Sequence, residues 1–126
     1  MNTINATMEA LSKGQRTAQG DVTLVPIDAL PEGLVKANPE NGLLIVAHSG
    51  SGHHHAIQDV EGFELYDDPN DQFVSYGINR TDNVIELRHF KNYAPTHAPH
   101  GIPAGAVIKF IRGRETTPEG FRRVED

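Results

Sequence analysis

Residues Gly42–Gly62 read GLLIVAHSGSGHHHAIQDVEG, and this stretch sets the fold class. Its first part, GLLIVAHS, is the most apolar run in the chain. A short apolar run bounded by turn residues fits a buried strand, whereas a buried helix needs a longer one. Gly50–Gly52 then supply a turn, and HHHAIQDV continues as a second strand. Strand, glycine-rich turn, strand is the pattern of an antiparallel pair.

The same texture extends in both directions. Upstream, DVTLVPI (Asp21–Ile27) is a strand candidate, with Pro26 marking a sheet edge. Downstream, FELY and QFVSYGI flank the loop DDPND (Asp67–Asp71) as a hairpin, and NVIELRHF (Asn83–Phe90) follows the turn NRTD. The Pro-rich stretch YAPTHAPHGIPAG reads as a loop leading to the strand AVIKFIR (Ala106–Arg112), and the chain closes on TTPEGFRRVED. Its 12 glycines and 8 prolines are spread rather than clustered, as turns between short strands require. About seven or eight short strands at this spacing predict an all-β fold, a small jelly-roll-like sandwich or barrel.

The N-terminus differs. Ile4, Met8 and Leu11 stand at i, i+4 and i+7, and Gly14 follows as a stop, which predicts one short amphipathic helix. So short a helix is marginal in water and must dock on something. Lys13–Gly20 read as a polar link with no large apolar residue. The expected organisation is therefore an N-terminal arm, residues 1–20, and a single β-domain, residues 21–126. Ile4, Met8 and Leu11 are the expected assembly contact of the arm with a neighbouring subunit or partner.

Composition narrows the function. A chain of 126 residues suggests one domain and buries enough surface to need no metal or disulfide for its core. A net charge of −6 disfavours binding to phosphate backbones. Arg112, Arg114, Arg122 and Arg123 crowd the C-terminal end beside Glu115, Glu119, Glu125 and Asp126, and read as a mixed-sign solvated edge. The absence of cysteine excludes disulfides and thiolate metal sites. No stretch approaches the ~20 apolar residues of a membrane-spanning helix. The N-terminus has neither the basic start nor the apolar core of a secretory signal.

The histidines carry the chemistry. In an extended strand, His53, His55 and Ile57 share one face and His54, Ala56 and Gln58 the other. Ile57 marks the first face as the inner one. Two imidazoles at i and i+2 can converge on one divalent ion. His97 and His100 in the Pro-rich stretch are further ligand candidates. Asp59 and Glu61 could add oxygen ligands or orient an imidazole. His89 shares parity with Ile85 and Leu87, so it too is expected inside, as a hydrogen-bonded core residue or a ligand. SGSGH does not make a nucleophile elbow or a phosphate loop: the glycine spacing is wrong and no helix follows.

Two resemblances bear on these residues. His53-His54-His55 followed by Asp59, and Pro103-Ala104-Gly105, resemble fragments of the two cupin motifs. The departures are Asp in place of the usual Glu, and Ile108 at the expected second-motif His. This implies a jelly-roll-like shape and a site at His53 and His55. The order QGDVTLVPID, LPEG, GHHHAI, IPAG, RETTPEGFRRVED is similar to a group of small uncharacterised proteins of bacteria and their phages. That resemblance implies a compact β-domain, often phage-associated.

The resulting expectation is a non-enzymatic β-domain acting in an assembly, such as a capsid decoration or accessory protein of a phage virion. Its partners would be copies of itself or a capsid-type protein, and its place the virion or the host cytoplasm. The alternative is a cupin-like metalloprotein or metalloenzyme holding one zinc-like divalent ion through His53, His55 and His97 or His100.

Overall fold

The computed structural model describes residues 3–48, 53–91, 94–117 and 120–123. After helix α1 (Thr3–Ser12) come the strands β1 (Thr17–Gln19), β2 (Val22–Ile27), β3 (Val35–Lys36), β4 (Leu43–His48), β5 (His53–Gln58) and β6 (Phe63–Asp67). They are followed by β7 (Val74–Asn79), β8 (Ile85–Lys91), β9 (Ala94–Ile102), β10 (Val107–Arg112), β11 (Arg114–Thr117) and β12 (Gly120–Arg123). The order β1-β2-β10-β7-β6-β3 forms a six-stranded sheet and β4-β5-β8-β9 a four-stranded one, while β11 and β12 pair as a separate ribbon. All pairings are antiparallel. The molecule is mostly β and sandwich-like, not a closed barrel.

Alternation explains which faces meet. In β6, Phe63 and Leu65 are buried while Glu64 and Tyr66, which alternate with them, are half-exposed. Both sheets feed one core: Val22, Leu24, Phe63, Leu65, Ile108 and Phe110 from the six-stranded sheet, Leu44, Val46, Ile57, Leu87 and Ile102 from the other. Burying an aliphatic or Phe side chain is worth about 1.5–3 kcal/mol, so this seam dominates the folding energy. The run that reads as most apolar, β4, is an edge strand of the four-stranded sheet, with Leu44, Val46 and Ala47 buried. It is entered through Asn41-Gly42, both at positive φ between the bridged residues Glu40 and Leu43, the Asn-Gly form of a tight hairpin turn.

Three expectations need correction. The Pro-rich stretch is not simply a loop: Ala94–Ile102 forms the nine-residue strand β9. Proline cannot donate to a ladder, and β9 tolerates Pro95 and Pro99 because it lies at a sheet edge and shifts register twice against β8. Arg112 is not on a solvated edge: it is buried. Its guanidinium donates to the carbonyls of Gln72 and Val46 and to Ser75 Oγ. The side chains of Arg114, Arg122 and Arg123 lie outside the described residues.

Finally, the N-terminal segment is seated on its own domain rather than projecting from it. Leu11 is a core residue and Thr7 is buried, while Ile4 and Met8 are half-buried. Thr7 Oγ1 accepts a hydrogen bond from Gly101 N of β9 at 2.8 Å. The link after it forms β1, paired to β2 from Thr17↔Leu24 to Gln19↔Val22. What holds β1 inward is polar: Gln19 is 1% exposed.

Candidate functional site: a buried histidine cluster between the sheets

His55 and His89 are directly opposite in the β5–β8 ladder, and His89 is opposite His97 in the β8–β9 ladder. Directly opposed residues of antiparallel strands share a face, so His55 and His89 lie on one face, and His97 holds the opposing register position in β9. On the other flank of His55 the partner is Ala47. A bulge between Ile45 and Ala47 makes it so, by inserting Val46. The small Ala47 thus stands beside the imidazole.

Both described rings are inside: His55 is 2% and His89 0% exposed, with centroids 4.2 Å apart and planes tilted by 36°. The inward parity read from Ile57 holds for His55, whereas His54 is half-buried. The side chains of His53 and His97 lie outside the described residues; their backbones pair with Lys91 and His89.

The groups that hold His55 come from β1 and the turn after it. Gln19 Nε2 donates to the carbonyls of Leu87, at 2.8 Å, and Ala98, at 3.0 Å. Its Oε1 is therefore an acceptor, and it lies 2.9 Å from His55 Nδ1. The Nδ1 proton is fixed by this arrangement, because an amide oxygen can only accept. His55 Nε2 is left facing Asp21 Oδ1 at 3.3 Å. A lone pair and a carboxylate in that position require a cation between or on them: a proton shared by the pair, or a metal ion.

The local sequence makes this possible. Gly20-Asp21 is a two-residue hairpin turn with Gly20 at φ 57°, the glycine-first form that suits twisted strands. It presents Asp21 at the end of β1, and Gly113 N donates to the Asp21 carbonyl at 2.7 Å. Thr17, two residues before Gln19, contacts His100 Nδ1 through Oγ1 at 3.2 Å. Strand β1 and the turn after it thus contact two buried histidines through Thr17, Gln19 and Asp21, at i, i+2 and i+4.

Of the expected site residues, then, only His55 is placed in the cluster by its side chain, with His89 as the expected inner neighbour. His100 is buried, 7% exposed, and bound to Thr17. Asp59 and Glu61 do not serve the histidines. They are exposed, past the far end of β5, and line a cleft with Lys36, Asn38 and Phe63. Asp59 lies four positions beyond His55, about 13 Å along extended chain. Asp21 occupies the role foreseen for them. The cupin-like fragments likewise do not meet, since Ile108 is core and Asp59 is at the surface.

Gln19, Asp21 and Thr17 were missed because their segment has no large apolar residue to mark it as a strand. The available signal was the parity T-x-Q-x-D running into VTLV.

Among the described residues, no three or more His, Asp or Glu form a ready metal-ligand group. No described helix is long and apolar enough to cross a membrane.

Residues 18–112 match the family described as "Domain of unknown function (DUF8820)". The chain belongs to that family, and the match takes in Gln19, Asp21, His55, His89 and His100. No curated protein and no solved structure matches the chain.

Proposed function

We propose that this DUF8820 member is a metal-binding β-domain whose ion sits between His55 Nε2 and Asp21 Oδ1. The observation that carries the reading is the pair's geometry. At 3.3 Å the two atoms are further apart than the ~2.7–2.9 Å of a charge-assisted N–H···O bond. With metal–N and metal–O bonds near 2.0–2.2 Å, two ligands of a tetrahedral ion lie about 3.3–3.4 Å apart, the separation of this pair. The Gln19–Nδ1 contact supplies the outer support that fixes the tautomer of a metal-bound imidazole. Imidazole and carboxylate donors without thiolate suit zinc-like divalent ions.

Two groups make an incomplete site. By register and strand parity alone, His97 and His53 are the positions from which further ligands would come. No reaction is assigned to the site.

The other reading is an assembly component, such as a capsid accessory protein. It draws on the resemblance to phage-associated proteins, on the small, acidic, Cys-free composition and on an N-terminal arm; of these, the arm's helix α1 packs on β9.

Metal analysis of the purified protein, followed by zinc titration, tests the proposal. The expected result is one ion per chain, with affinity reduced in Asp21→Asn, His53→Ala and His97→Ala. Protein that is metal-free and takes up none would overturn it. The pair would then hold a proton, and the cluster would be a polar pin between the sheets.

A further inference from the structure

We infer that the outer face of the six-stranded sheet docks a second copy of this chain, with β10 of one copy lying over β6 of the other. None of the residues that carry this inference belongs to the histidine cluster.

Strand register builds the face. Opposed residues share a side of the sheet, and the ladders set Lys36, Tyr66, Tyr76, Lys109 and Val25 in one row across β3, β6, β7, β10 and β2. On either side of this row come Ile27 and Ile78, both opposite Val107, and Val74, opposite Ile111. The intervening residues of these strands face the core, so this side faces outward. A solvated sheet face ordinarily carries polar residues at its outward positions. Those of β2, β7 and β10 are instead aliphatic or aromatic, with Thr23 and Lys109 as the exceptions. Val25, Ile27, Ile78 and Ile111 are half-buried, yet they neither belong to the core nor pack on it.

Charge says what covers this face. Lys109 stands half-buried among the apolar rows, with no salt bridge among the described residues. A surface that docks here must bring it a carboxylate, because an ammonium buried without a partner is costly. A second copy does so. β10 and β6 flank β7 on opposite sides, so a two-fold axis along β7 lays β10 of one copy over β6 of the other. Each Lys109 then meets the strand that leads into Asp68, and the contact occurs twice. Burial, then the carboxylates of Asp68 and Asp71, raise the Tyr76 phenol, which puts both acids beside this face.

Two tyrosines flanked by lysines also resemble a platform for stacking nucleic-acid bases. Tyr76 is 7% exposed and has no ring face to offer, and the neighbouring carboxylates repel phosphate.

Sedimentation of the full chain across a range of concentrations tests the docking. The expected result is a dimer that dissociates on dilution, more readily at high salt. Lys109→Glu and Asp68→Lys should each weaken it about ten-fold or more, through like charges at both symmetry-related contacts. An equimolar mixture of the two variants should dimerise again, because each acid then faces a base. Asp68 also accepts from Asn70 N at 2.9 Å. Asp68→Asn keeps an acceptor there and should still weaken the dimer. A chain that stays monomeric at its highest soluble concentration, variants that dimerise like the unaltered chain, or a mixture that stays monomeric would each overturn the inference.

Discussion

Val46 and Arg112 meet across the sandwich: the Arg112 Nη1 donates to the Val46 carbonyl at 2.8 Å. Val46 is the residue that the β4 bulge inserts, so its backbone is out of step with β5. Ala98, whose carbonyl takes Gln19 Nε2, stands where β9 shifts register against β8. At two of the three register shifts of the four-stranded sheet, a long polar side chain from the six-stranded sheet satisfies a carbonyl. The bulge shapes the histidine pocket by placing Ala47 beside His55, and Arg112 makes it tolerable.

It follows that Arg112→Leu should destabilise the fold by about 3 kcal/mol. Hydrogen bonds to charged groups are worth roughly 1.5–3 kcal/mol, and the buried carbonyls would be left without this donor. Chemical denaturation should show a lower midpoint. A change within about 0.5 kcal/mol would mean that water or another donor replaces the guanidinium.

Gln19→Leu tests the tautomer. It removes the acceptor from His55 Nδ1 and the donor from the carbonyls of Leu87 and Ala98. Loss of such outer support weakens a metal site about 10–100-fold. Zinc titration of the folded variant should show that drop. Affinity should also fall as the medium becomes acidic through the imidazole range, about 6.5 for a free histidine, because protons compete for Nε2. Unchanged affinity in Gln19→Leu, or a flat pH profile, would remove His55 as a ligand.

A second pH effect lies on the outer face of β6. Tyr66 OH donates to Glu64 Oε1 at 2.9 Å, and Arg80 Nε lies 3.2 Å from the same oxygen. The Tyr66 hydroxyl, with Arg80 beside it, lowers the Glu64 carboxyl below its ordinary value, and bonding to Glu64 raises the Tyr66 phenol. The lowered carboxyl contributes stability above the ordinary carboxylate range that is lost as pH falls through the lowered value. The raised phenol contributes below its ordinary range near 10 and loses it as pH rises. Tyr66→Phe should flatten both limbs of a stability–pH curve by small amounts, since the cluster is partly exposed. Identical curves would place the hydrogen bond outside the folding energetics.

Legibility in the sequence followed apolarity. The alternation of Phe63 and Leu65 with Glu64 and Tyr66, and the parity of His55 with Ile57, could be read directly because period-two burial leaves a visible trace. β9 was hidden because prolines advertise loops, and only the edge position, a tertiary fact, admits them. The partners of His55 were hidden for a related reason. Gln19 and Asp21 are held by polar contacts with residues 36 and 34 positions away, and such contacts leave no periodic mark.

That lesson bears on the N-terminus, where the structure reverses an expectation. A free arm could be removed without consequence. Here, deleting residues 1–19 takes Leu11 out of the core, uncovers Val22 and Leu24 along β2, and strips Gln19 from His55, Leu87 and Ala98. The ordering entropy recovered from the segment offsets part of this, but each buried carbonyl left without a donor costs about 1–3 kcal/mol. The truncated protein should therefore melt well below the full chain or fail to fold. Leu11→Ala is the milder check: truncating a buried leucine costs about 2–5 kcal/mol, while an exposed position would cost almost nothing. Thermal denaturation of both proteins decides the matter. A truncated domain with the full-length midpoint, together with a neutral Leu11→Ala, would show that α1 and β1 add nothing to the fold and would restore the free arm.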